Sequence, residues 1–281
     1  MRFLPPGLRM NGTLYIKKGA LALLVGLAAA PVGAQVDTTH VDKTFFTRRD
    51  LVIGAIGIGA GALTAIFDER IAYWMQSPGV QGSDSRQDLA DAITVVNEQP
   101  LTIAAAASYL VGRLVHSELI ADVGLHTTEA LVLTVSASEL IRAPLGRARP
   151  RVSPTDPFVF EFGAGFSKFE NRSYPSIHSA VAFTTAAALV GEIQIRRPSA
   201  VKIAAPILYT AALIPGVTRM YLNQHWASDV VSGGIMGAWL GAKTVRYAHT
   251  HRKSKLDRWL LGTSVLPDGR GGVVAMVSVP Q

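Results

Sequence analysis

The chain has 281 residues, enough for one large domain with appendages and a sizeable core. Hydrophobic residues make up 49% of it and charged residues 17%, which leaves both a soluble enzyme and a membrane protein open. It contains no cysteine, and this excludes a disulfide, a thiolate nucleophile and a cysteine-ligated zinc site. Any chemistry must therefore come from histidine, serine, acidic and arginine side chains.

Residues 1–34 are typical of an export signal. Lys17 and Lys18 precede an apolar run, and the small residues before Gln35 suit cleavage there. The run is shorter than the roughly 20 residues of a membrane span, although an uncleaved anchor stays an alternative. Without this segment the formal net charge falls from +7 to +3, because it carries four basic residues and no acidic one. The high isoelectric point is thus no indication of a nucleic-acid partner, and none is expected.

Apolar segments with helical spacing follow the polar stretch 35–50. They cover residues 51–67, 101–115, 120–141, 178–194, 200–216 and 228–245. The acid-rich stretch 68–98 is predicted as a loop.

A long Pro- and Gly-rich stretch at 147–175 is predicted to be irregular, and a loop of that length inside a domain is usually functional. Its apolar side chains fit either a guide for an acyl chain or a packed lid; they are Phe158, Val159, Phe160, Phe162 and Phe166.

Basic residues cluster at 196–202 and 246–258, and the positive-inside rule would place both stretches in the cytoplasm. The loops around 142–178 and 218–225 would then share the outer face. If segment 51–67 spans the membrane and ends on the outer face, it must begin in the cytoplasm. A cleaved signal, however, leaves residue 35 on the outer face, so the two expectations conflict. Two arrangements stay open: an inner-membrane protein with a periplasm-facing site, or a periplasmic protein lying against the membrane.

The C-terminal part differs in kind from the helical part. A basic patch at 249–258 is followed by two short strand-like runs around an Asp268-Gly269 turn, so a hairpin-like tail is predicted. The predicted organisation is a signal peptide at 1–34, an N-terminal helical segment at 35–97, a catalytic domain at 98–250, and a basic linker with tail at 251–281.

The stretch TRMYLNQHWASDV, residues 218–230, places three ionisable side chains in an apolar context. They are Arg219, His225 and Asp229. Burying charge is costly unless it is paired, so the cluster needs an explanation. The i, i+4 spacing of the histidine and the aspartate would put them on one helix face, where the carboxylate would orient the imidazole as a nucleophile or base. Alone, the pair also fits an ordinary ion pair.

Two further clusters carry phosphate-binding chemistry. The first, residues 142–151, has guanidinium groups that match phosphate oxygens, at Arg142, Arg147, Arg149 and Arg151. In the second, YPSIHSA, Ser176 is a good N-cap, and the first-turn N–H groups, including that of Ile177, suit an anion. His178 would protonate a leaving oxygen. Each cluster alone also fits a structural role, either a basic flank of a membrane segment or a simple helix cap.

Together the three clusters resemble the type 2 phosphatidic acid phosphatase superfamily, which includes bacterial acid phosphatases and vanadium haloperoxidases. The family pattern is Lys, six residues, Arg-Pro; then Pro-Ser-Gly-His; then Ser-Arg, five residues, His, three residues, Asp. The corresponding residues are Arg142 and Arg149-Pro150; Pro175, Ser176, Ile177 and His178; and Thr218-Arg219, His225 and Asp229.

The resemblance implies an all-α helical bundle of this phosphatase and haloperoxidase kind. It also implies a metal-independent acid or lipid phosphate phosphatase that needs no cofactor. His225 would form a phosphohistidine and Asp229 would orient it, while His178 would protonate the leaving alcohol. The phosphate-binding groups would be Arg142, Arg149, Ser176, Ile177 and Arg219.

The chain departs from the family pattern at three positions. Arg142 replaces Lys, Thr218 replaces Ser, and Ile177 replaces Gly. The last matters most because a β-branched residue does not readily adopt a positive φ. The substrate would be a phosphorylated lipid, including a polyprenyl pyrophosphate, or a small phosphomonoester. The alternatives are a vanadate-dependent haloperoxidase and a catalytically silent phospholipid-binding membrane protein.

Overall fold

A computed structural model describes residues 44–251, 263–267 and 273–277. The predicted export signal lies outside the described residues, as does most of the basic patch at 249–258. The described part is all-α apart from one two-stranded hairpin. The expected fold class is therefore confirmed.

The helices in chain order are α1 Arg48–Ala65, α2 Asp68–Met75, α3 Pro78–Gln81, α4 Asp84–Ile93, α5 Glu98–Leu114, α6 Glu118–Leu145, α7 Ile177–Arg196, α8 Val201–Tyr221 and α9 Ala227–Thr250. The strands β1 Thr263–Pro267 and β2 Val273–Val277 pair antiparallel, with Thr263 opposite Val277. Each predicted apolar segment corresponds to one of the long helices, and the predicted turn at Asp268 lies outside the described residues.

The prediction of a loop at 68–98 was wrong, because this stretch contains α2, α3 and α4. These helices have only eight, four and ten residues, too few to show a helical period in the sequence. Tertiary contacts hold α2 in place: Ile71 and Met75 are buried against Met220 and Val230. Packing, rather than local propensity, decides the structure here.

Helix α9 lies unusually close to α7 along a row of glycines at i, i+4 spacing. A Cβ atom added at Gly233, Gly237 or Gly241 would lie 2.4, 2.0 or 2.5 Å from a backbone carbonyl oxygen of α7 or of the Ser176 cap that precedes it. Only glycine permits this approach without displacing backbone. The contact fixes the start of α9 against the start of α7, where Ser176 N–H donates to the Asp229 carbonyl at 3.0 Å.

Because of the directions in which the long helices run, four helix ends lie together at one end of the bundle. Helices α6 and α8 end there, and α7 and α9 begin there. The connection 146–176 covers this end and is irregular, as predicted, with only two short 3₁₀ turns at Ala164–Phe166 and Phe169–Asn171. The basic stretch 196–202 lies at the opposite end of the bundle.

Two described helical segments are long and apolar enough to cross a membrane: Glu118–Leu145 and Pro198–Tyr221. A third candidate is the pair α1 and α2, which is bent by 58° at the break between them. Large apolar side chains of these segments face outward; examples are Leu140, Ile203 and Ile207, which are 77%, 71% and 62% exposed. By length and composition the chain has the helices of a membrane protein.

Candidate active site

The end of α6 places Arg142 at the common end of the bundle. Gly146 stops the helix with a φ of 65°, and a Cβ there would lie 1.7 Å from the Glu161 carbonyl oxygen. Arg142 sits one turn earlier, is buried, and donates from Nη2 to the Arg172 carbonyl at 3.0 Å. Its Nε has no partner although it is buried.

His225 lies in the turn between α8 and α9 and is only 2% exposed. Its Nδ1 is 2.7 Å from the Ser173 carbonyl oxygen, which can only accept, so Nδ1 carries the proton. The Nε2 atom is therefore the basic nitrogen, and it is buried without a hydrogen-bond partner. Burial lowers the pKa of His225 to about 4, against the opposing effect of Asp229. The imidazole is thus neutral near pH 7, as a nucleophile must be.

The i, i+4 spacing predicted that His225 and Asp229 share one helix face. This prediction was wrong. The helix begins at Ala227, so the histidine precedes it and the aspartate is in its first turn. Asp229 Oδ2 lies 3.6 Å from His225 Nδ1 and accepts closer hydrogen bonds from Trp226 N–H and Ser173 Oγ, at 2.8 and 2.6 Å. The orientation of the imidazole therefore depends on the backbone of Ser173 as well as on this carboxylate.

Arg147 does not take part in the group of phosphate-binding arginines that the sequence suggested, because its guanidinium is bound by carboxylates. It is buried and pairs with Asp229 Oδ1 at 2.5 Å and with Asp68 Oδ2 at 2.8 Å. Burial by itself would raise the pKa of Asp229, but Arg147, together with His225 and Ser173, lowers it to about 2. The sequence reasoning missed Asp68, which also accepts from Ser228 N–H at 2.8 Å. An acidic residue at the start of a short helix gave no signal for that role.

Arg149 belongs to the irregular connection and is fully buried. Its Nη1 donates to Gln224 Oε1 at 2.5 Å, and its guanidinium carbon lies 4.1 Å from the centre of the Phe169 ring. Burial and the positive charges of Arg142 and Arg219 lower the pKa of Arg149 to about 9. Arg149 Nη2 and Arg142 Nη2 also donate to the same Arg172 carbonyl, at 3.4 and 3.0 Å, which places these two guanidinium groups side by side. Arg151, in contrast, pairs with Glu170 at the surface.

The start of α7 agrees with the predicted helix cap. Ser176 is the N-cap, and its hydroxyl accepts from Ser179 N–H at 3.5 Å. Ile177 is the first helical residue; among the described residues other than glycine only His116 and Asn223 have a positive φ, so Ile177 has ordinary helical geometry. Its side chain is 3% exposed and packs with Leu131.

His178 lies in the first turn of α7 and faces His225. The two ring centres are 6.3 Å apart. Its Nδ1 is buried without a hydrogen-bond partner. Burial, and after it the positive charge of Arg219, lowers the pKa of His178 to about 2.

The site residues leave a set of buried nitrogen atoms without hydrogen-bond partners. These are Nε of Arg142, Arg149 and Arg219, Nδ1 of His178 and Nε2 of His225. Buried polar groups are normally satisfied, so an unpaired group calls for a functional explanation. Guanidinium and imidazole nitrogens together suit an anion with several oxygen atoms.

Over this end of the bundle, Phe158, Phe162 and Phe166 of the connection are 61%, 81% and 74% exposed. They do not form a packed lid. Their apolar faces point outward instead.

Residues 124–253 match the family model of the PAP2 superfamily. This segment contains all of the predicted site residues. The chain is similar to the PAP2 superfamily over this segment.

Several proteins named as phosphatases are similar to the chain. It is 27% identical over 267 residues to a lipid A 1-phosphatase of Rhizobium etli, covering 94% of this chain and 97% of the relative. It is 25% identical over 140 residues to an undecaprenyl-diphosphatase of Sulfolobus acidocaldarius, covering 49% and 61%. A transmembrane PAP2-type phosphatidylglycerolphosphate phosphatase of Bacillus subtilis aligns with a TM-score of 0.36 and 19% identity, over 69% of this chain and 98% of that one. The expected superfamily and phosphatase class are thereby confirmed.

The fold accommodates the three residues at which this chain differs from the family pattern. Arg142 is buried at the end of α6, where Lys stands in the family pattern, and its guanidinium is anchored on a backbone carbonyl. Thr218 is also buried, in the last turns of α8. Because Ile177 needs no unusual φ, the amide of this first helical residue keeps the direction that the helix start gives it.

Proposed function

We propose that the chain is a phosphatase that hydrolyses lipid phosphates through a phosphohistidine intermediate on His225. The observation that carries this proposal is the set of unpartnered buried nitrogens on Arg142, Arg149, Arg219, His178 and His225. Phosphate is the anion whose several oxygens and electrophilic centre use all of them at once.

In the first step, His225 Nε2 attacks phosphorus, and the bond from phosphorus to the leaving oxygen breaks. The proton on Nδ1 stays directed at the Ser173 carbonyl, and Asp229 stabilises the positive charge that forms on the ring. The three arginines bind the non-bridging oxygens as charge develops on them. Ser176 and the amide of Ile177 would add neutral donors at the helix start.

His178 supplies the proton to the leaving oxygen. Without an anion, burial and Arg219 keep its pKa low. A phosphate dianion among the arginines offsets their charge and raises that pKa, so substrate binding itself prepares the acid. In the second step, the neutral His178 takes a proton from water, which attacks the phosphohistidine and releases phosphate and free His225.

A lipid substrate is supported by two observations. Large apolar side chains are exposed on the candidate membrane segments, and Phe158, Phe162 and Phe166 are exposed beside the site. Similarity to a lipid A 1-phosphatase and an undecaprenyl-diphosphatase points the same way. The basic stretch 196–202, at the opposite end of the bundle, favours a site on the outer face of the inner membrane.

The deciding experiment measures phosphate release by the purified full-length protein in detergent. The panel contains a phosphorylated lipid A, undecaprenyl pyrophosphate, phosphatidate and p-nitrophenyl phosphate. His225→Ala should lose activity by about 10³-fold or more, and His116→Asn, at a remote exposed histidine with a positive φ of 55°, is the matched control. An acid-labile phosphoenzyme should form with the wild type and not with His225→Ala.

Two outcomes would overturn the proposal. Equal phosphate release by His225→Ala and wild type would indicate a catalytically silent phospholipid-binding protein. Halide oxidation in the presence of vanadate and peroxide, with no phosphate release, would indicate a haloperoxidase. The lipid preference has its own test: Phe162→Ser should lower the rate on the lipid substrates and leave the rate on p-nitrophenyl phosphate unchanged.

A further inference from the structure

A second cluster of ionisable side chains lies at the other end of the bundle. It consists of His126 on α6, Glu192 on α7 and His249 on α9. Glu192 follows His178 by 14 positions on the same helix, which corresponds to about 21 Å along its axis. The PAP2 motifs do not include any of the three residues.

Both imidazoles contact the Glu192 carboxylate, and His249 Nε2 is 3.1 Å from each of its two oxygen atoms. Glu192 Oε1 is 2.5 Å from His126 Nδ1 and 3.1 Å from His249 Nε2. One ligand atom from each residue lies within 4.8 Å of the other two. The side chains are 4%, 2% and 5% exposed, so the cluster is almost fully withdrawn from solvent.

The other oxygen of the carboxylate is already occupied. Glu192 Oε2 pairs with Arg196 on the same helix, and Arg196 Nη2 also donates to Asp122 Oδ2 at 2.6 Å. This ion pair holds Oε2 and leaves Oε1 as the oxygen that contacts His126. Such hydrogen bonds to the outer oxygen are how proteins orient metal-binding carboxylates.

We propose that His126, Glu192 and His249 form a binding site for a divalent transition-metal ion, with Zn²⁺ the best fit. Two imidazole nitrogens and one carboxylate oxygen are ligands that zinc accepts, at about 2.0–2.2 Å each, with the fourth position left to water. The ion would replace the proton shared by His126 and Glu192, whose contact has to widen by less than about 1 Å to leave tetrahedral spacing. With both histidines neutral, Glu192, Arg196 and Asp122 together carry one negative charge, which the ion would offset.

The site would be structural. Its ligands come from three different helices, so a bound ion would join α6, α7 and α9 at the end away from the phosphate pocket. Selective binding to the folded state raises the free energy of unfolding in proportion to the logarithm of the ion concentration. The site does not depend on the proposed phosphatase activity.

The test uses the full-length protein in detergent, freed of metal with a chelator and dialysed against Zn²⁺. Elemental analysis should give one zinc per chain. Glu192→Gln, which keeps the shape of the side chain, and the double variant His126→Ala/His249→Ala should each weaken binding by about 100-fold or more. Zinc about 100-fold above its Kd should raise the Tm of the wild type by about 5 °C or more and leave that of Glu192→Gln unchanged.

Two histidine variants are the controls. His251→Ala removes a histidine two residues from His249 that stacks on Tyr247 instead, and His225→Ala removes the pocket histidine. Both should bind zinc like the wild type. Affinity should also fall as the pH is lowered, because protons compete for the imidazoles.

Cobalt(II) gives a readout on the wild type alone, should the cluster variants not fold. A tetrahedral nitrogen and oxygen site produces strong visible absorption bands, which zinc should displace. Failure to bind one zinc per chain, absence of those bands, or undiminished binding by Glu192→Gln would each show that the cluster is only a hydrogen-bonded ion network. Loss of zinc in His225→Ala would place the ion in the phosphate pocket and equally overturn the proposal.

Discussion

Arg147 binds Asp229 with one guanidinium nitrogen, at 2.5 Å, and holds Asp68 with the other, at 2.8 Å. This buried arginine connects the short helix α2 to the first turn of α9, the helix that follows the proposed nucleophile His225. The relationship explains why a chain with few charges buries three of them together. It also predicts which arginine of the 142–151 cluster matters for folding.

Replacing Arg147 with Met should destabilise the protein by about 3–5 kcal/mol, because the buried carboxylates of Asp68 and Asp229 would keep their hydrogen bonds but lose the cation that pairs with both. Arg151→Met is the matched control; its ion pair with Glu170 is exposed to solvent, so its loss should cost about 0–1 kcal/mol. Denaturant unfolding in detergent measures both. Similar losses in the two variants would contradict the structural role of Arg147.

The free energy of unfolding should fall as the pH is lowered from about 6.5 to about 4. The folded-state pKa of His225 is about 4, below the value near 6.5 of an unfolded histidine. Between these values the unfolded chain binds a proton that the folded chain does not, so acid favours unfolding. His178, with a pKa of about 2, acts in the same direction.

The variant His225→Asn separates the two contributions. An amide keeps a donor for the Ser173 carbonyl but has no pKa in this range, so the slope of stability against pH should become smaller without vanishing. Unfolding followed at several pH values measures it. An unchanged slope would mean that the pKa of His225 in the folded protein does not lie below its value in the unfolded chain.

Ile177→Gly, which introduces the residue of the family pattern, should destabilise the fold and leave the chemistry intact. The side chain is buried against Leu131 and Val181, and its loss should cost about 2–5 kcal/mol. The amide direction is set by the helix start, so activity per folded molecule should stay the same. Ile177→Val, expected to cost about 0.5–1.5 kcal/mol, is the control. A large gain in kcat with Gly would show that the isoleucine distorts the anion site.

Phe169 should matter for the rate through Arg149. Its ring is 56% exposed and lies 4.1 Å from the guanidinium carbon of the buried Arg149, and a contact between a cation and a ring contributes about 0.5 to 2 kcal/mol, more as it is desolvated. Phe169→Ala should therefore lower kcat/KM for p-nitrophenyl phosphate by about 3- to 30-fold. Phe162→Ala, at an 81% exposed position of the same connection, should leave this value unchanged. Equal effects of the two changes would argue against positioning of Arg149 by the ring.

The sequence by itself determined the long helices and the chemical types of the site. Apolar runs of helical spacing need no tertiary information, and each became a helix of the bundle. Three motifs together were enough to predict the superfamily: Arg142 to Arg149-Pro150, the stretch from Pro175 to His178, and Thr218-Arg219 to His225 and Asp229. Local features such as the Ser176 cap were also readable, because a cap depends on neighbours within one turn.

Only the tertiary structure decided which groups those residues meet. Arg147 and Arg149 have the same charge and lie two positions apart, yet one is bound by buried carboxylates and the other faces the remaining arginines. The proton on His225 Nδ1 is directed by the carbonyl of Ser173, 52 positions earlier in the chain. Likewise His126, Glu192 and His249 meet only because three helices pack side by side. Contacts over such distances leave no period or spacing in a sequence, since they depend on how whole helices are placed.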